Sequence, residues 1–168
     1  MKKSYLIFIT FIFLSSCNSI VKTIYDDTTA RYNAYFIANE EIKNIEEDYE
    51  KNLNQGFDSL IDLTYKIDTN QVSSIQERTK NSIEKLSILI QRQTTSKYVY
   101  PSYALIGKSR LLNLNLKEAI TTLKYVNSKS NNNEANTMAL IYLLRAYTEN
   151  KDYNSAQEVD KFLTNREM

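Results

Sequence analysis

One thiol and no imidazole bound the chemistry open to this chain. Cys17 is the single cysteine among 168 residues, and histidine is absent. Ser-His-Asp and Cys-His catalysis, and zinc sites with His or Cys ligands, are therefore excluded, as is a disulfide framework. Carboxylates, lysines, tyrosines and serines remain. The acids gather as Glu40-Glu41 and Glu46-Glu47-Asp48, but consecutive residues of a helix point in different directions. They read as a solvated face and not as a metal cage. Asp68-x-Asn70 lacks the glycine and distal Glu of a calcium loop. No paired-acid constellation supports a hydrolase, so no catalytic residue, cofactor, metal or small-molecule substrate is expected. Two groups could still bind something. Lys108 and Arg145, 37 positions apart, are either solvated surface charges or cations that bind an acidic segment or a C-terminal carboxylate. Tyr32, Tyr35 and Phe36 form an aromatic cluster that serves either a partner or membrane-proximal contact, or core packing.

Cys17 has a chemistry of its own. Met1-Lys2-Lys3 precedes an almost wholly apolar run from Tyr5 to Leu14, and Leu14-Ser15-Ser16-Cys17 follows. A charged start, an apolar run of about ten residues and small residues before a cleavage point make a secretory signal. The run is too short to cross a roughly 30 Å hydrocarbon layer. Its ending resembles the lipobox of bacterial lipoproteins, which implies a signal peptide over 1–16 and acyl chains on Cys17. At about 0.8 kcal/mol per buried CH₂, two or three chains hold a protein to a membrane almost irreversibly. Asn18, and not Asp, follows the cysteine, which implies the outer membrane. The missing acidic run implies its periplasmic side in preference to the cell surface.

Composition bounds the fold. Removing 16 residues leaves 152, one domain by length. Loss of Lys2 and Lys3 turns 21 basic against 20 acidic residues into 19 against 20, so no electrostatic case for nucleic acid exists. Two glycines and one proline are too few for the turns of a β-rich domain, and an all-α fold is expected. Residues 17–27 read as a lipidated tether. Tyr32, Tyr35, Phe36, Ile42, Ile45, Tyr49 and Leu53 recur at helical steps and predict a helix over 28–54, capped by Thr28 or Thr29. Gly56 ends it, a short helix covers 57–67, and Asp68-Thr69-Asn70 reads as a turn. Ser74-x-x-Glu77 has capping-box spacing ahead of a helix to about 94. Pro101 suits the first turn of a helix to Leu114. Asn115 caps the next, Asn131-Asn132-Asn133 is a loop, and helices over 134–149 and 153–165 follow.

These last four helices repeat. With Ala119 aligned on Ala156, Leu116 meets Tyr153, Tyr103 meets Leu140, Ile106 meets Leu143 and Val126 meets Leu163. Tyr103-x-x-Ile106-Gly107 with Ala119 and Leu123 resembles the tetratricopeptide pattern, in which Gly107 and Ala119 let two helices approach closely. The expected architecture is a tetratricopeptide-like α-solenoid: two hairpins over 97–168, with N-terminal helices over 28–96 packed on them. In that pattern Lys108 and Arg145 face the concave groove, with Ala104 and Ile141 beside them. Charge reversal of both cations is expected to weaken partner capture without unfolding. No polar capping helix is evident after 153–165, so the C-terminal face reads as a second recruiting surface.

Three stretches resemble a known family, the tetratricopeptide lipoproteins of gliding motility and type IX secretion in Bacteroidota (SprE/PorW type). They are Thr29-Ala30-Arg31-Tyr32-Asn33-Ala34-Tyr35-Phe36 with Asn39-Glu40, then Ser82 to Ser87 with Ile90-Gln91, and Tyr103 to Arg110 with Glu118-Ala119. Members of that family are several times longer, so the resemblance implies a short or truncated form. It implies a non-catalytic scaffold whose partners are proteins of an outer-membrane and periplasmic secretion machine. A tetratricopeptide lipoprotein of outer-membrane-protein assembly is the alternative.

Overall fold

The computed structural model describes residues 18–51 and 69–167. They form an all-α fold of seven α-helices and one π-helical segment, with no strand among the described residues. The helices are α1 (Asn18–Thr29), α2 (Phe36–Lys51), α3 (Thr69–Arg92), α4 (Val99–Leu112), α5 (Leu116–Lys129), α6 (Asn133–Glu149) and α7 (Tyr153–Glu167). The π-helical segment Ala30–Tyr35 joins α1 to α2. Each of α2 to α7 packs on its neighbour in sequence, and α4 also touches α2 and α6. Thus α2, α4 and α6 lie side by side in one layer, with α3, α5 and α7 behind them.

Helix α4 is the centre. Ten of its fourteen residues are buried, from Pro101 to Leu112, because α2, α3, α5 and α6 surround it. A helix enclosed on all sides needs either apolar or small residues all round. Here Ser102, Ala104, Gly107 and Ser109 provide the small ones. One core cluster joins Ala38, Ile42, Ile45 and Tyr49 of α2 to Ile75, Leu86, Leu105, Ile106 and Leu112. A second joins Ala104, Leu123, Val126, Ala135, Ala139 and Leu143. Polar ties join α2, α3 and α4. Arg78 bridges Glu41 and Asp48; its hydrogen bond to Asp48, 2.9 Å long, holds that carboxyl below the usual range. Asn113 donates to Thr79 Oγ1 at 2.6 Å.

The α4–α5 and α6–α7 hairpins close on the same turn. Leu114 and Lys151, 37 positions apart, are the two non-glycine residues with positive φ among the described residues, at 56° and 60°. Asn115 N–H bonds to Arg110 O and Leu114 N–H to Leu111 O, and Asp152 to Tyr147 and Lys151 to Thr148 repeat that pairing. This is the Schellman motif, which satisfies the last carbonyls of a helix through one left-handed residue. Glycine normally takes that position, because an L side chain there costs roughly 1–2 kcal/mol. Lys151 is exposed, so Lys151→Gly should raise stability by about 1 kcal/mol, measured as a shift in the urea midpoint at unchanged slope.

Several boundaries differ from expectation. The expected tether 18–27 is helical, and α1 runs unbroken into the π-helical segment. Thr29 is itself in αR conformation with no side-chain cap bond. Thr28 instead bonds back to the carbonyl of Ile24. Ser74 is not an N-cap, because α3 already includes Thr69 and Asn70. Asn115 occupies an N-cap position without a side-chain bond, whereas Asn132 accepts from Ala135 N–H at 2.9 Å. Pro101 sits in the first turn of α4, as its missing N–H requires. Gly56 and the helix expected over 57–67 lie outside the described residues. The far end also differs. Helix α7 turns Ala156, Val159 and Leu163 toward α6 and exposes Asn154, Gln157, Glu158, Asp160, Lys161, Thr164 and Asn165. Its outer face is largely polar, with only Tyr153 and Phe162 as large exposed apolar side chains, and it does not form the apolar recruiting surface anticipated.

Candidate functional site

An open surface groove runs along α6. Met138, Ile141 and Tyr142 fall at three- and four-residue steps on α6; Met138 and Tyr142 are half-buried at the edge of its core stripe of Ala135, Ala139, Leu140, Leu143 and Ala146, and Ile141 lies beyond them at the surface. With Asn133, Glu134 and Thr137 they line an open groove of about 490 Å³. Ile141 is 51 % exposed within it. An apolar floor with an amide, a hydroxyl and a carboxylate at its edge suits an apolar side chain of a peptide whose backbone needs hydrogen-bond partners.

Lys108 stands beside this groove and is not free to bind an incoming acid. It is only 7 % exposed. Its Nζ donates to Glu46 Oε2 of α2 at 2.5 Å and lies 4.7 Å from the ring centre of Tyr142 on α6. Glu46, Lys108 and Tyr142 therefore pin the three helices of the layer together through one ion pair and one cation–π contact. Burial pushes the Tyr142 phenol up, against the opposing influence of Lys108. Arg145, 37 positions after Lys108, is half-buried and close enough for its charge to act on Tyr142. Ala104 does not line the groove. It is fully buried among Leu123, Val126 and Ala135. The expected groove quartet thus separates: Ile141 is at the surface, Ala104 in the core, and Lys108 in an internal pair. Charge reversal at Lys108 cannot test binding alone, because it would set two carboxylates together.

Three acids of α2 tie it to neighbouring helices, and Glu47 makes an exposed pair within the helix. Glu41 and Asp48 meet Arg78, Glu46 meets Lys108, and Glu47 lies 3.8 Å from Lys43. No group of side chains among the described residues could hold a metal ion.

The aromatic cluster divides as well. Tyr35 is half-buried, packs against the first core cluster and meets Tyr98 at 4.9 Å between ring centres. Burial, reinforced by Glu134 and Tyr98, pushes its phenol up to about 12. Phe36 is 56 % exposed. Tyr32 lies in the π-helical segment. Because Tyr35 ionises later folded than unfolded, its contribution is intact below pH 10 and lost as pH climbs toward 12. Unfolding titrations of wild type and Tyr35→Phe should therefore show stability falling over that interval, less steeply in the variant.

Cys17 lies outside the described residues. No described helix is long and apolar enough to cross a membrane. Compared with protein-family models, curated proteins and solved structures, the chain finds no match.

Proposed function

We propose that this chain is a non-catalytic, lipid-anchored scaffold of tetratricopeptide-like hairpins that holds a segment of a partner protein. The observation that carries this reading is the groove on α6, where an exposed isoleucine lies among polar edge groups. Such a groove admits one apolar anchor and fixes its backbone. The shared turn at 37-residue spacing supports the repeat architecture. Acylation of Cys17 places the scaffold at the outer membrane, facing the periplasm. The resemblance of 29–36, 82–91 and 103–119 assigns its partners to the machinery of type IX secretion and gliding motility. Catalysis has no part in this reading, since Lys108 beside the groove is held by Glu46 and a lone Glu134 at its edge makes no acid–base pair.

A photo-crosslinking residue at position 141, in the full chain expressed in its own cells, tests the proposal. It should capture a component of the secretion or gliding machinery, and the same residue at Lys151 should not. Ile141→Ser should weaken the purified pair roughly tenfold, the loss of one apolar anchor worth about 1.4 kcal/mol. Capture of no such component, or affinity unchanged by Ile141→Ser, would overturn it.

A further inference from the structure

Helix α1 is amphipathic the wrong way round. Ile20, Val21, Ile24 and Tyr25 are 67, 58, 61 and 67 % exposed. On a helix these positions form one contiguous face. The helix meets the protein instead through the carboxylates of Asp26 and Asp27. Asp26 is buried and accepts from Thr95 Oγ1 at 2.8 Å, while Asp27 accepts from Ser96 Oγ and Lys97 N–H, both at 2.9 Å. A helix covering a soluble core does the reverse.

The π-helical segment is responsible. In an unbroken α-helix Ile24 and Ile42, eighteen residues apart, share a face because eighteen residues make five whole turns. Ile42 is fully buried. Across Ala30–Tyr35 the backbone bonds to the fifth residue back, as in Phe36 N–H to Arg31 O, and the wider turn breaks the register. The apolar stripe that α2 turns into the core is thereby turned outward in α1.

We infer that the exposed face of α1 lies on a lipid surface, a reading that rests on acylation of Cys17. Cys17 directly precedes Asn18, where α1 begins. Acyl chains there hold α1 at headgroup level, and Tyr25 is then only about 10 Å further along the helix. Apolar side chains so close to a lipid boundary bury themselves in it. A second copy is a poor occupant, because four side chains fall short of the roughly 800 Å² that each partner gives a stable interface. The consequence is a fixed pose. The anchor becomes a line of contact, and the body is held at one angle to the membrane.

The chain has no tryptophan, so Ile24→Trp gives a single reporter. The acylated full chain is reconstituted in vesicles of phosphatidylethanolamine with phosphatidylglycerol as the minor component, with and without bromine on the upper acyl chain. Emission should be blue-shifted and largely lost with brominated lipid. Phe162→Trp, on the exposed face of α7, should report water and keep its intensity. Mass spectrometry of the N-terminal peptide is read in parallel. Water-like, unquenched emission at position 24 on an acylated chain would overturn the inference and leave the anchor standing. Blue-shifted but unquenched emission would also overturn it, assigning a second copy of the chain to the face. An unacylated Cys17 would remove the anchor and the inference together.

Discussion

Lys108→Glu is expected to cost about 3 kcal/mol or more, a large part of the roughly 5–15 kcal/mol that holds a domain folded. The side chains of Lys108 and Glu46 are 9 % and 20 % exposed. Reversal leaves two carboxylates in little water and removes the cation from the face of Tyr142. Lys108→Met should cost less, about 1–2 kcal/mol, because the apolar stem is kept and no second carboxylate is brought against Glu46. Combining Lys108→Glu with Glu46→Lys should recover most of the loss. What stays missing is the cation–π contact, worth roughly 0.5–2 kcal/mol. Urea unfolding of the four proteins checks this order. Equal stability of Lys108→Glu and wild type would show that the pair does not hold the layer together.

Gly107→Ala is expected to destabilise the chain by about 1–3 kcal/mol although alanine is the better helix former. A Cβ at Gly107 would lie 2.5 Å from Leu123 Cδ2 and 2.6 Å from its Cγ. The Cγ is near the root of the side chain, so rotation at the tip cannot clear it. Helix α5 must move off α4, and Leu123 is fully buried between Ala104 and Val126. The pair is best read as a cycle. Leu123→Ala alone should cost about 2–5 kcal/mol through the cavity it leaves. In that background Gly107→Ala should cost little or become favourable, since the clash is gone and its methyl enters the vacated space. Additive costs would contradict the close approach.

The helices from residue 99 onward were legible because their punctuation is local. Pro101, the Asn-rich loop and the break near Asn150 mark ends within a few residues of where the backbone turns. Gly107 was legible too, as a small residue at a helix crossing. The N-terminal part was harder. Ile20, Val21 and Ile24 carry a helical period, but they face away from the core, so their pattern had no second stripe to answer it. A π-helical segment leaves no mark in composition, and it shifts by about one residue any register counted through it. Ser74-x-x-Glu77 has the spacing of a cap and lies inside a helix, which shows how little three residues specify without the chain before them.

Lys108 was misread for a different reason. Its partner is 62 positions away on α2, and only the side-by-side placement of α2, α4 and α6 brings the two together. A signal was present nonetheless. From Val99 to Ser109 it is the only charged residue, surrounded by Ala104, Ile106, Gly107 and Ser109. A lone cation on a helix without a polar face is a buried one, and a buried cation needs an acid. Ile141 could likewise have been set apart from the core residues of α6, because it lies well over 100° round the helix from Ala135 and Ala139.

The carboxylates of Asp26 and Asp27 grip residues 69 and 70 positions later in the chain. Tension applied at the amino end therefore has a short cut. It enters the body at Thr95, Ser96 and Lys97, where α3 hands over to α4, and need not travel through α2 and whatever follows Lys51. Dragged by its first residues, the molecule would be hauled from its middle, with the hairpins trailing intact until that small latch gives way.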